Sequence, residues 1–274
     1  MGDTMYDLNR INDCLNTKSI GRTIIQFDSL SSTYAKAKNI FVTCPDGAVV
    51  LSESQSKWCI RMGKEWVCYP DKNIYLSIIL KPLANNHLIS KFDVIGCASI
   101  CEALNELYDI DCKVKWPNDI LINGKKVSSI NSSLVSKNNK PDGIIISIGI
   151  NANINKEEID LNEDIKNTAT SLMLQLTEEV DREKLIGEIL NKIEKHYNEL
   201  VNDNTAQSEA VNIFNQNSLI INKNIEINKR GKKTIRNVYA QGINSDGYLI
   251  VTNDKGIEEI LSPGETIITY EKNA

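Results

Sequence analysis

Histidine is almost missing from this chain: 274 residues carry two, His87 and His196, and neither sits beside a cysteine. The seven cysteines are odd in number, and no two stand at C-x-x-C spacing. The cysteine and histidine patterns that mark zinc sites are therefore lacking. Thiols kept reduced in a cytoplasm fit this usage best, and Cys97 and Cys101, one helical turn apart, read as core packing. No apolar stretch approaches the roughly 20 residues that span a bilayer. Met1 to Arg10 has no apolar run of the kind a secretory signal needs. The expectation is a cytoplasmic protein with no membrane partner. An excess of positive charge is missing too: the formal net charge is -5, which leaves no basic footprint for nucleic acid.

What is present is 41% hydrophobic and 24% charged, a globular composition with ample core. Short apolar runs predict strands at Thr23–Phe27, Ala48–Ser52, Ile74–Leu80, Lys113–Trp116 and Gly143–Ile150. Ser31-Ser32-Thr33 offers N-cap residues for a short helix to Asn39. Apolar residues at helical spacing predict helices over Leu88–Leu107, Glu183–Leu200 and Ser208–Asn217. Asn123-Gly124, between Ile120–Ile122 and Lys126–Ile130, is a strong hairpin signal. Glu53 to Lys72 is too polar and broken to be regular, and long loops inside compact domains are often functional. Beyond Ile220 the texture changes to short strands separated by Ser245-Asp246-Gly247 and Asp254-Lys255-Gly256, which suggests a small β-barrel. The pattern is α+β, with a mixed central β-sheet and flanking helices over residues 1–217 and the β-module over 218–274.

The chemistry is concentrated at Lys115-Trp116-Pro117-Asn118-Asp119. Lys115 ends a strand whose neighbours Val114 and Trp116 want burial, so its ammonium points into a cleft where it can meet an anion. A rigid turn, a carboxamide and a carboxylate follow at once. This K-W-P-N-D run, with the N-G-K-K-V hairpin after it, resembles the core motif of the biotin–protein ligases. The resemblance extends from about Ile20 to Tyr270. It implies the biotin/lipoate ligase catalytic fold with a C-terminal SH3-like barrel, and a protein that converts biotin and ATP, with Mg²⁺, to biotinyl-5′-AMP. The biotin then passes to a lysine of a biotin carboxyl carrier domain.

By that resemblance Lys115 and Arg61 are catalytic, Lys115 screening the repulsion between a carboxylate and the α-phosphate. Ser32, Thr33, Tyr34, Gln55 and Lys115 line the biotin site, with Tyr34 where the family has asparagine. Cys59, Ile60, Arg61, Asn118 and Asn151 line the nucleotide site. Asn118 and Asp119 are suited to hold Mg²⁺ or to order the loop. Only Met1 to Ser19 precede the matched region, too few for the helix-turn-helix of the family's DNA-binding members, so DNA is not an expected partner. A homodimer is an open expectation.

Two departures from the family pattern stand out. Its G-R-G-R loop here reads Trp58-Cys59-Ile60-Arg61. Glycines that let backbone N–H groups close on phosphate are replaced, and one arginine is lost, a donor worth about 2–4 kcal/mol in a preorganised site. Further on, Ser129 stands where a glycine lets the backbone approach biotin, and Asn131 and Ser133 are polar where an apolar residue and an acid are expected. These changes keep two alternatives open: an impaired homologue that binds biotin or regulates, and an acyl ligase for a related carboxylate such as lipoate.

Overall fold

The computed structural model describes residues 5–56, 68–82, 89–138, 140–202, 208–229 and 234–269. The elements in chain order are α1 (Leu8–Cys14), β1 (Ile24–Leu30), α2 (Thr33–Ile40), β2 (Val49–Gln55), β3 (Ile74–Leu80) and α3 (Ile89–Tyr108). There follow β4 (Lys113–Lys115), β5 (Asp119–Ile122), β6 (Lys125–Lys137), β7 (Lys140–Ile150), α4 (Lys156–Asp160), α5 (Leu172–Leu176), α6 (Arg182–Asn202) and α7 (Glu209–Asn217). The last five strands are β8 (Lys223–Lys229), β9 (Ile235–Ile243), β10 (Leu249–Thr252), β11 (Glu258–Leu261) and β12 (Thr266–Thr269).

Seven strands form one sheet in the order β1-β2-β3-β7-β6-β5-β4. Strands β1 and β2 run parallel and every other neighbouring pair is antiparallel, so the sheet is mixed as expected. The turn at Asn123 and Gly124 has φ 50° and 73°, the left-handed pair that a two-residue hairpin needs. The hairpin of β6 and β7 is longer than the apolar run of β7 alone predicts, because exposed lysines carry its far end.

The two faces of the sheet differ. On one, Ile74, Leu76 and Ile78 of β3 meet Ile146, Ile148 and Ile150 of β7 under helix α3. Each fully buried side chain of this kind contributes about 1.5–3 kcal/mol. Helix α3 is buried nearly all round, since α6 and α7 pack on its other side. Gly96 lets it sit this close: a Cβ there would stand 2.9 Å from Cγ2 of Ile130 on β6. On the opposite face α2 covers one part only, where Ala37 and Phe41 pack with Val50, Ile79 and Ile145.

The last five strands form a separate antiparallel sheet, ordered β11-β10-β9-β8-β12. Among the described residues no pairing of β11 with β12 closes it into a barrel. Its β9–β10 turn docks on the first sheet. The indole N–H of Trp116 donates to the Gly247 carbonyl at 3.4 Å, and the Ser90 hydroxyl donates to the Asp246 carbonyl. Gly247 has φ 76°, and a Cβ there would meet the Ser90 carbonyl oxygen at 2.8 Å. Among the described residues no helix is long and apolar enough to cross a membrane.

Candidate active site

Residues opposite one another on paired strands share a face. Following the register from edge to edge gives a single row: Phe27, Ser52, Tyr75, Gly149, Ser129, Asp119 and Lys115. The next row towards α2 holds Val50, Ser77, Ser147 and Asn131. Both lie on the face away from α3. A floor of hydroxyls, one carboxamide and one carboxylate thus crosses the sheet, with an ammonium at its β4 end. Four strand spacings separate β3 from β4, roughly 19 Å at the usual spacing. That length suits an extended ligand with a polar ring at one end and an anionic group at the other.

The β3 end is the better ordered. The Ser77 hydroxyl donates to Thr33 Oγ1 at 2.9 Å and shares a 2.8 Å hydrogen bond with Ser147 Oγ. The Thr33 backbone N–H donates to Gln55 Oε1 at 3.1 Å. All four residues are buried. The Gln55 carboxamide is therefore held by its oxygen, while its buried Nε2 has no hydrogen-bond partner among the described residues. A buried donor without an acceptor costs free energy, and it marks the place where a ligand carbonyl would be bound. Ser32 is the N-cap of α2, its Oγ accepting from the Ala35 N–H at 3.4 Å. Half-buried Tyr34 packs against the Phe41 cluster.

Below this end lies a network that the sequence did not disclose. Arg182, the first residue of α6, donates to Glu53 Oε2 at 2.7 Å, to the Asn73 carbonyl at 3.0 Å and to the Tyr6 hydroxyl at 3.1 Å. Its guanidinium also stacks on the Tyr6 ring, 4.4 Å from the centroid. Burial raises the Glu53 carboxyl above its ordinary range, and Arg182 offsets part of that rise. The Tyr75 hydroxyl accepts from Asn73 Nδ2 at 2.8 Å and from the Tyr69 N–H at 3.0 Å. Its pKa is pushed well up by burial.

At the other end, Lys115 lies opposite Asp119, and half-buried. Asp119 Oδ1 accepts from the Ser129 hydroxyl at 2.7 Å, and Lys126 Nζ stands 2.7 Å from Oδ2. The Asn118 amide donates to the Ile130 carbonyl. Both carboxylate oxygens of Asp119 are thus engaged at the start of β5. A Mg²⁺ between Asn118 and Asp119 would have to compete with the Lys126 ammonium, so the donor set as arranged does not fit that ion. Asn151 is buried, donating to the Thr170 carbonyl at 3.0 Å and accepting from Asn73 at 3.3 Å. It braces the end of β7 beside the row. Trp58, Cys59, Ile60 and Arg61 lie outside the described residues, in the segment that begins just beyond Gln55 and Ser56.

The structure thus brings Asp119 and Lys115 to one face, and at the β3 end it hydrogen-bonds Gln55 to Thr33 and Thr33 to Ser77, with Ser32 capping the adjoining helix. It adds Ser77, Ser147, Ser129 and Arg182. A visible signal for two of these exists: Ser77 and Ser147 each interrupt an otherwise apolar strand, IYLSIIL and GIIISIGI. A hydroxyl there must find a partner.

A mixed seven-stranded sheet with a strand-end lysine on its polar face and helices packed behind it defines a ligase catalytic fold of the biotin/lipoate type. The model of the Biotin/lipoate A/B protein ligase family matches residues 26–151, and along most of its length the chain is similar to biotin–protein ligases. The bifunctional ligase/repressor BirA of Bacillus subtilis is 28% identical over 252 residues, covering 90% of this chain and 75% of the relative. The biotin--[acetyl-CoA-carboxylase] ligase of Mycobacterium tuberculosis is 20% identical over 96% of this chain and 99% of its own length. The solved biotin protein ligase from Aquifex aeolicus, in complex with biotin and ATP, superposes with a TM-score of 0.76. It is 23% identical and covers 91% of this chain and 100% of that one. At that identity the superposition establishes the fold.

Proposed function

We propose that this chain activates biotin with ATP and transfers it to a lysine of a biotin carboxyl carrier domain. The observation that carries the reading is the polar floor that crosses the sheet from Ser77, linked through Thr33 to the Gln55 amide, whose Nε2 has no partner among the described residues, to the Lys115 ammonium at the β4 end. The ligand seen with ATP in the Aquifex aeolicus protein has both features, a ureido carbonyl and a carboxylate. Some relatives matched along most of this chain are biotin ligases by name.

The ureido carbonyl accepts from Gln55 Nε2, beside the hydroxyls of Thr33 and Ser77. The carboxylate extends towards Lys115. A carboxylate oxygen attacks the α-phosphorus of ATP, the bond to the β-phosphate oxygen breaks, and pyrophosphate leaves with its electron pair. Two anions meet in this step, and the Lys115 ammonium screens them and stabilises the charge growing at phosphorus. The amine of a carrier lysine then attacks the acyl carbon of the mixed anhydride, and AMP departs. Mg²⁺ accompanies ATP through its phosphates. Arg61 and Asn151 serve the nucleotide, and residues 1–217 form the catalytic unit with 218–274 as an accessory module. The acceptor is a carrier domain of a biotin-dependent carboxylase, and the reaction is cytoplasmic.

The test is pyrophosphate release with biotin and ATP, together with labelling of a carrier domain. Release that depends on biotin, followed by transfer, is the expected result. Calorimetric binding of biotin with no release would favour a regulatory, non-catalytic homologue. Release with lipoate or octanoate in place of biotin would move the substrate to another carboxylate.

A further inference from the structure

On the far side of α3, away from the row, His196 of α6 is fully buried, with its side chain 0% exposed. Its Nε2 is hydrogen-bonded to Oε2 of Glu102 on α3. If that bond holds the proton on Nε2, as a carboxylate partner does, the lone pair lies on Nδ1. Nδ1 is buried and has no hydrogen-bond partner among the described residues. It faces Glu199, one turn along α6, whose Oε2 is 3.7 Å away, and Glu209 at the start of α7. One ligand atom from each of these three residues lies within 4.8 Å of the others. Glu199 and Glu209 are 34% and 49% exposed in their side chains, so the pair is open to solvent while the imidazole is not.

We propose that His196 Nδ1, Glu199 and Glu209 form a binding site for a divalent transition ion of the Zn²⁺ type, with water completing the shell. The chemistry of the donors selects the class: an imidazole with two carboxylates suits a borderline cation better than Mg²⁺ or Ca²⁺, which prefer oxygen alone. Glu102 has the place of the outer carboxylate that orients a metal-bound histidine. Bonds of about 2.0–2.1 Å put tetrahedral ligands roughly 3.4 Å apart. The glutamates therefore need to draw in by about 1 Å, which exposed side chains do by rotation. Charge favours the ion as well. Three carboxylates gather here, and the ammonium of Lys195 pairs with two of them, Glu209 at 2.9 Å and Glu102 at 3.2 Å. Lys195 is the competitor that an incoming cation displaces. The ligands come from two helices and from carboxylates, so no cysteine–histidine spacing announces them in the sequence. An ion here ties α6 to α7, and just beyond α7 the Leu219 N–H bonds the Val114 carbonyl at 2.9 Å, next to Lys115.

The experiment is calorimetric titration of the full chain, stripped with a chelator, with ZnCl₂ alone. The proposal expects one strong site per chain. Glu199→Gln and Glu209→Gln, both at the surface, should each weaken it at least tenfold. Glu102→Gln should weaken it by about 10–100-fold, and Lys195→Met should strengthen it. X-ray absorption of the loaded protein should show nitrogen and oxygen ligands without sulfur. Absence of a strong site, or a strong site unchanged in both surface variants, or sulfur ligation from the buried thiols, would each overturn the assignment.

Discussion

Ser129 and Asp119 face each other across β5 and β6, and the serine hydroxyl donates to the carboxylate at 2.7 Å. The position at which relatives of this type place a glycine is therefore tied down rather than pointing loosely at the ligand. The hydroxyl is drawn towards the β4 edge and adds to a turn that Lys126 and Asn118 already hold. What remains above the floor is the serine Cβ, which a glycine would lack. Ser129→Gly should lower KM for biotin roughly threefold, less than the worth of one hydrogen bond of about 1 kcal/mol. It should cost about 1 kcal/mol of stability, from the freer backbone and the lost bond. Steady-state pyrophosphate release and urea unfolding measure the two. A raised KM would mean that the hydroxyl itself contacts the ligand.

In the proposed reaction Lys115 carries the chemical step. Replacing it by alanine removes the charge opposite Asp119 without opening a core cavity, because the side chain is half-buried. The kcat/KM for pyrophosphate release should fall by about 10²–10³-fold, the scale of one lost preorganised donor. Urea midpoints should stay close to wild type. Lys115→Arg keeps the charge and should recover part of the loss. Equal rates in the wild-type and alanine proteins would remove Lys115 from the reaction.

The Lys115 motif was legible in the sequence because a strand end, a proline and two polar residues are contiguous there. The strands and long helices were legible for the same reason: their periodicity is local. The polar row was not, since it depends on the register of seven strands that lie far apart in the chain. The bond from Thr33 to Gln55 spans 22 residues and the Ser77–Ser147 pair spans 70. Arg182 was missed because it opens an amphipathic helix, where an arginine reads as solvent-facing; only the fold buries it against Glu53. Helix α1 was missed because its seven residues bury only Ile11, too little apolar signal to mark a helix.

Gln55 gives the sharpest test of which end of the row binds the ring. Its oxygen is committed to Thr33 and its nitrogen has no partner among the described residues. Gln55→Leu should raise KM for biotin by roughly 2- to 10-fold, the range of one neutral hydrogen bond of about 0.5–1.5 kcal/mol. KM for ATP should change far less, because the proposed reaction places the nucleotide towards Lys115. The Thr33 backbone N–H would lose its acceptor in this variant, so Gln55→Glu, which keeps an acceptor oxygen for that N–H and removes the Nε2 donor, serves as the control. An effect confined to ATP would reverse the orientation of the ligand along the floor.

Glu194 of α6 governs how the fold responds to acid. Its carboxylate accepts from the backbone N–H groups of Lys18, Ser19 and Ile20 at 2.6, 2.8 and 2.9 Å, and from the Ser19 hydroxyl at 3.1 Å. One side chain thus holds the segment that leads into β1. Burial alone would raise its pKa, but the four donors outweigh that and hold it below the ordinary carboxylate value. A folded pKa below the unfolded one means that the unfolded chain binds the proton first. The stabilisation is therefore complete above the unfolded value of about 4.3 and is lost as pH falls through the lower folded value. Glu194→Gln keeps the size and one acceptor but loses the charge. At pH 7 it should unfold at lower urea, by about 1.5–3 kcal/mol for charge-assisted bonds. The gap between variant and wild type should narrow as pH is lowered from 5 to 3. Urea midpoints at pH 7, 5 and 3 provide the measurement. A gap that stays constant across that range would show that the carboxylate's charge is not what anchors the loop.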